Sequence, residues 1–371
     1  MKTIPVSRPL ITEGDIDTVK ETLSKGLLSG DTIVVKEFEN NFASSLGVKN
    51  AILVNSGTSA LDLLYDSLSI RPGDKWVLPT FTITATINNL IRRGAVVFLA
   101  DADEETWSMN LEDVEVTDLV DVSGVMVTHI YGLSANFGQI RNAVGENINI
   151  YEDAAEVLGA TYNNRFCGTL GRAGIFSFYA NKVITCGEGG AIVTDDDELA
   201  ERLRYLRNLC FGSERFVHEE LGWNYRVPSM SAALLSSQLT RLQEIVGYKI
   251  QIANRYIEGL QTIPYLTPMS TETSFSRNTF WVVPMLVSSN SPISRGELQR
   301  KLQDVGVETR RFFCPIHLQP YVKRYNISVL SEMRVSENLW SNGLYLPSGV
   351  GITFDEVDFV IQRIKEIFNL Q

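Results

Sequence analysis

The sequence has no cysteine pair spaced for chelation and no histidine cluster. Its four cysteines, Cys167, Cys186, Cys210 and Cys314, are scattered without a CxxC spacing, and its three histidines, His129, His218 and His317, lie far apart. That distribution argues against a zinc site and a disulfide framework; it fits a reducing, cytoplasmic compartment and a functional centre without metal. Basic residues are in deficit. Lys and Arg number 33 against 44 Asp and Glu, a net charge of −11, and no long basic run occurs, which argues against nucleic acid or an anionic membrane as partner. No stretch reaches the roughly 18 apolar residues of a membrane span, and the N-terminal MKTIPVSRPL lacks the apolar core of an export signal. Neither a GxGxxG turn nor a Walker loop is present, which weakens any nicotinamide or nucleoside-triphosphate reading. Internal repeats and low-complexity segments are absent too.

What remains is an ordinary globular composition, 44% hydrophobic and 21% charged, over 371 residues. That length exceeds a usual single core, so a large domain (residues 1–244) followed by a smaller α/β domain (residues 245–371) is expected. A helical apolar period (Ile16, Val19, Leu23) spans 12–28, and a second helix over 34–46 carries Phe38 and Phe42 on one face. Residues 51–54 read as a buried strand, and Asn55-Ser56-Gly57-Thr58-Ser59 turns from it into a helix. Such a junction makes an anion site, because unpaired amides and the helix dipole point at whatever sits there. Strands at 76–79, 96–100, 124–128 and 148–151 alternate with helical segments, which predicts a mostly parallel sheet with ligands at the carboxyl ends of its strands. Glu152-Asp153-Ala154-Ala155-Glu156 places carboxylates at one such end. Further on, a helix is capped at 195–198, and a helical stretch over 229–260 is expected to break near Gly247. Strands at 280–287 and 307–313 flank a helix at 294–305, and Pro284 marks the first of them as a sheet edge. Thr353-Phe354-Asp355-Glu356 opens the last helix as a capping box.

The most reactive-looking stretch is residues 176–190, FSFYANKVITCGEGG. It reads as a strand, a lysine-bearing turn and a glycine corner before a second strand at 191–194. A lysine set between apolar segments is desolvated, which disfavours its ammonium form and frees the amine of Lys182 to attack a carbonyl. That is the chemistry of a Schiff-base lysine.

In this order, NSGTSALDLL, EDAAEVLGATY, SFYANKVITCGEGGAIVT and NYRVPSMSAAL resemble the DegT/DnrJ/EryC1/StrS family of sugar aminotransferases. The resemblance runs from GLLSGDTIVVKEFENNFA to ETRRFFCPIH. It implies an α/β protein of fold type I among pyridoxal-phosphate transferases (aspartate aminotransferase-like), acting as a homodimer with active sites built from both subunits. Pyridoxal 5'-phosphate is the implied cofactor, joined to Lys182, which then moves the proton between substrate and cofactor carbons. By the same resemblance Asp153 keeps the pyridine nitrogen protonated and Glu156 lies near the phenolic oxygen. Gly57, Thr58 and Ser177 hold the phosphate, with Asn224 reaching over from the partner subunit. Arg226 is the candidate for the glutamate carboxylate, since a planar guanidinium suits bidentate pairing. Arg310 and His317 are candidates for the sugar nucleotide.

The implied reaction passes an amino group from L-glutamate to C4 of a nucleotide-linked 4-keto-6-deoxy sugar, for surface polysaccharide such as O-antigen. The wording of NKVIT and GEGG points to a GDP-linked substrate; dTDP- or UDP-linked sugars, amination at C3 and a non-catalytic regulatory relative are the alternatives. Relatives that dehydrate carry histidine in place of the lysine, so Lys182 argues against that branch. Two positions depart from the family pattern. Ile83 stands where an aromatic ring usually stacks on the cofactor, so either it or Phe81 must cover that face. Cys314 stands in a loop where related sequences can carry histidine.

Overall fold

Short aliphatic runs without polar alternation are strands covered on both faces, and they form the centre of this chain. A computed structural model describes residues 3–112, 114, 119–214 and 216–369. The first half supplies β1 (Asn50–Val54), β2 (Lys75–Pro79), β3 (Val96–Ala100), β4 (Val122–Thr128), β5 (Ile150–Asp153), the small hairpin β6 (Thr161–Tyr162) and β7 (Arg165–Phe166), then β8 (Ala173–Ser177) and β9 (Gly190–Thr194). The second half supplies β10 (Leu266–Pro268), β11 (Val283–Val287), β12 (Arg310–Arg311), β13 (Ile327–Val329) and β14 (Gly343–Leu346).

Eight of these strands form one sheet in the order β1-β9-β8-β5-β4-β2-β3-β13. The run from β8 to β13 is parallel throughout, while β9 lies antiparallel to both its neighbours. The smaller sheet, β10-β11-β14-β12, is antiparallel. Pro284 is therefore not at an edge: β11 has a neighbour on each side. The proline is tolerated because its backbone faces β10, where its carbonyl accepts from Met269, and β10 has already ended at Pro268. Its missing N–H leaves the exchange with Met269 one-sided, and the β10–β11 ladder closes there.

The helices are α1 (Glu13–Ser24), α2 (Ile33–Leu46), α3 (Gly57–Ser67), α4 (Ala85–Arg92), α5 (Phe137–Val144), α6 (Asp197–Arg207), α7 (Ser229–Leu239), α8 (Leu242–Leu260), α9 (Arg295–Asp304), α10 (Arg334–Asn342) and α11 (Phe354–Ile367). The expected break near Gly247 falls instead at Thr240–Arg241, and Gly247 lies inside α8. Nothing opposes the Gly247 position within 4 Å, so the helix passes through it unhindered. The expected strand at 307–313 is reduced to the two residues of β12. The capping box at Thr353 is formed, with Glu356 returning a bond to the Thr353 amide.

Helix α1 buries the opposite face from the one its apolar period suggested. Asp15 is buried, completing a capping box with Thr12 and pairing with Arg241, while Ile16 and Leu23 are exposed. Helix α2 behaves as expected. Its Phe38 and Phe42 meet Phe178 and Phe176 edge to face at 5.2–5.8 Å, pairs that stabilise by about 0.5–1.5 kcal/mol each beyond area burial. That packing fixes the β8–β9 hairpin from below. Arg207 adds a polar pin, donating to Glu39 of α2 and to the Leu53 carbonyl of β1. Among the described residues no helix is long and apolar enough to cross a membrane.

Candidate active site

Strands β1, β2, β4, β5 and β8 run in one direction, so their carboxyl ends meet along one edge of the large sheet. A cavity of about 480 Å³ opens there. Ser56, Gly57 and Thr58 line it after β1, Thr82 and Ile83 after β2, Thr128 and Asp153 at the ends of β4 and β5, and Ser177 at the end of β8. Arg310, Arg311, Phe313, Tyr345 and Trp281 close it from the second half of the chain.

Lys182 enters from the loop between β8 and β9. Its turn is held by its own amide on Tyr179 O (2.9 Å), by the Cys186 amide on Phe178 O (3.1 Å), and by Gln238 of α7, which brackets both backbone groups of Thr185 (2.7 and 2.9 Å). The glycine corner that follows is dictated by close approach: a Cβ on Gly190 would lie 2.5 Å from Ser56 O. Only a residue without a side chain lets the lysine loop and the helix α3 turn touch.

The Lys182 Nζ sits 3.9 Å from Glu156 Oε1 and 3.6 Å from the centroid of Trp281. Burial pushes its pKa down, against the pull of Glu156 and Asp153. Glu156 is buried in turn, and desolvation lifts it to about 7 although Lys182 and the Tyr131 amide (3.1 Å) hold its anion. Asp153 is 2% exposed and is raised by desolvation; its oxygens accept from Thr86 Oγ1 and the Ala155 amide, each at 3.2 Å. The Thr86 hydroxyl continues to Thr82 (3.1 Å) and on to Thr128 (3.3 Å), a hydroxyl chain under the cavity floor. Behind it, Glu152 accepts from the amides of Gly168, Leu170 and Gly171 (2.6–2.7 Å) and from His129 (2.9 Å). Because His129 Nδ1 accepts the Ala135 amide (3.0 Å), the imidazole proton is on Nε2.

These residues fit pyridoxal phosphate. Ser56 caps α3 by accepting from the Ser59 amide (3.0 Å), and the first amides of a helix lack intrahelical partners. A Cβ on Gly57 would lie 3.0 Å from Ser177 Cβ, so the glycine lets that turn come up against the end of β8, and Ser56, Gly57, Thr58 and Ser177 line one cavity beside the helix N-terminus. Across the cavity, an aspartate with two donors on its oxygens among the described residues is suited to a cationic ring nitrogen. Ile83, 48% exposed, faces the space between. Phe81 does not cover that face, because it is fully buried and packs on Tyr131, Phe312 and Phe313.

Of the residues anticipated from sequence, Gly57, Thr58, Asp153, Glu156, Ser177, Lys182 and Arg310 converge on this cavity. Asn224, Arg226 and His317 do not line it within one chain. Asn224 is exposed and bridges to Asn208, Arg226 donates to Asn208 Oδ1, and His317 is turned to Thr80 (2.7 Å) and Glu337 (3.2 Å). Trp281, Tyr345 and Arg311 were missed, although the Arg310-Arg311 doublet was a usable signal for the last.

Residues 9–365 match the DegT/DnrJ/EryC1/StrS aminotransferase family. A GDP-perosamine synthase of Escherichia coli O157:H7 is 32% identical over 372 residues, covering 100% of both chains. One from Caulobacter vibrioides is 31% identical over 98% of both. The crystal structure of a DegT DnrJ EryC1 StrS aminotransferase from Brucella abortus superposes with a TM-score of 0.86 at 28% identity over 95% of each chain. The lysine hairpin, the acidic strand end and the helix α3 turn thus sit in a fold shared along nearly its whole length with a solved aminotransferase, and the chain belongs to the DegT/DnrJ/EryC1/StrS aminotransferase family.

Proposed function

We propose that this protein is a pyridoxal-phosphate-dependent sugar aminotransferase that passes an amino group from L-glutamate to C4 of GDP-4-keto-6-deoxy-D-mannose, giving GDP-perosamine for surface polysaccharide. One observation carries the reading: a buried lysine amine, a buried aspartate and a helix N-terminus share one cavity at the carboxyl ends of the parallel strands. The GDP-perosamine synthases at 31–32% identity support the choice of nucleotide and position.

When bound, pyridoxal phosphate supplies an aldehyde and a protonated ring that takes up electron density from the carbon beside nitrogen. The chain's own groups do the rest. Gly57, Thr58 and Ser177 hold the phosphate, Asp153 keeps the ring nitrogen protonated, and Glu156 stands by the phenolic oxygen. Lys182 provides the amine that engages the aldehyde and, once free, takes and returns the proton at the reacting carbon. Arg226 pairs with a glutamate carboxylate and Arg310 faces the sugar nucleotide, which His317 would meet only by turning away from Thr80 and Glu337.

Asn224 and Arg226 would act from the partner subunit of a homodimer, which explains their absence from the cavity of one chain. Exposed apolar side chains along the N-terminal helices, Leu10, Ile11, Ile16, Leu23, Leu28 and Ile33, support such a dimer. Division of the chain near residue 244 and a cytoplasmic location belong to the same proposal.

The test is an activity screen with GDP-, dTDP- and UDP-linked 4-keto-6-deoxy sugars, glutamate supplied and the product identified by NMR. A 4-amino product with the GDP sugar is expected. Turnover confined to another nucleotide, or amination at C3, would overturn the substrate assignment, and no turnover with any sugar would overturn the activity.

A further inference from the structure

Trp281 lies just ahead of β11, in the half of the chain that supplies the small sheet, yet its indole reaches the lysine turn of the large one. Its ring centroid is 3.6 Å from Lys182 Nζ, and its Nε1–H donates to Asn181 O at 2.8 Å. Trp281 is 4% exposed, and its ring is packed between Tyr131 (centroids 6.0 Å apart) and Tyr345 (6.5 Å). We propose that Trp281 is a positioning residue for Lys182: its N–H fixes the turn, and its face seats the free amine and favours the protonated form. The inference rests on the aminotransferase reading only in what that proton is used for.

The opposing influences are specific. Burial favours the neutral amine. Glu156 and Asp153 favour the ammonium, and Arg310, Arg311, Tyr179, Tyr345 and Glu188 complete the titratable lining on the cavity side. On the far side of the turn Arg8, Arg241 and Lys249 share a water-sized cavity with Lys182. Arg8 and Arg241 are neutralised there by Glu356 and Asp15. A tryptophan face against a desolvated cation is among the stronger cation–π contacts. It adds to the pull of the carboxylates without taking a proton itself, and so works against the burial that lowers the lysine.

The experiment is competitive trace acetylation of the cofactor-free full-length chain across pH, with labelling of the Lys182 peptide read by mass spectrometry. Wild type, Trp281→Phe and Trp281→Leu are compared. The labelling midpoint should fall by about 0.5–1 pH unit in the leucine variant and by a fraction of that in the phenylalanine variant, whose ring is a weaker cation acceptor. A merely structural role would lower thermal stability and leave the midpoint where it was. An unmoved midpoint in Trp281→Leu, or equal shifts in the two variants, would overturn the proposal; should the leucine variant not fold, an unmoved midpoint in Trp281→Phe would do so. Turnover with an unmoved midpoint refutes this inference alone, whereas graded midpoints with no turnover on any keto sugar refute the functional reading alone.

Discussion

Replacing Glu156 by glutamine in the cofactor-free protein tests the electrostatics of the site without reference to turnover. Burial lifts this carboxyl from 4.5 to about 7. An acid whose pKa is raised on folding binds its proton more tightly in the native state. Its contribution to stability is therefore full below the unfolded value and is lost as pH climbs from about 4.5 through about 7. At about 1.4 kcal/mol per pKa unit, the loss between about pH 5 and pH 7 is on the order of 2 kcal/mol. Glutamine has the same shape and no proton to lose. Urea unfolding of both proteins at those two pH values should show the wild-type stability, relative to Glu156→Gln, falling by that amount. Infrared difference spectra should show a protonated-carboxyl band that bleaches around neutrality and is missing from the variant. A stability difference that does not change between the two pH values, with the band titrating in the ordinary carboxylate range, would refute the reasoning.

Lys182→Ala should abolish turnover and the visible absorbance of bound pyridoxal phosphate, while leaving the unfolding midpoint of the cofactor-free chain unchanged or higher, since a buried amine is removed. Gly57→Ala places a methyl 3.0 Å from Ser177 Cβ and should weaken cofactor binding by roughly tenfold or more, measured by fluorescence titration. Ile83→Phe should tighten that binding, because the aliphatic side chain leaves a half-open face over the ring; equal or weaker affinity would show that the face is already covered. Arg207→Leu strands the Glu39 carboxylate and should cost on the order of 3 kcal/mol in urea unfolding.

The legible parts of the molecule were those written in adjacent residues. The lysine hairpin, the Ser56–Gly57 turn and the acidic end of β5 are local patterns of apolar runs and turn residues, and the structure places each at the same sheet edge. What escaped depends on distant partners. Helix α1 turns Asp15 and Thr22 inward, where Asp15 pairs with Arg241, 226 positions away, and its apolar side is left on the surface of the single chain. Pro284 looked like an edge residue because nothing local says that β10 stops one residue short of it. Trp281 and Tyr345 carry no motif; they enter the cavity only because the small sheet packs against the large one through a cluster of rings that includes Tyr131 and Phe312.

One border of the large sheet is β13, drawn from residues 327–329 and paired in register with Val97, Phe98 and Leu99. A gene cut after codon 244 would thus deliver a sheet whose border strand, β3, has a row of bare amides and carbonyls. Such a border recruits other chains. The N-terminal piece expressed alone is accordingly expected to precipitate, and adding residues 245–371 in trans to dissolve it.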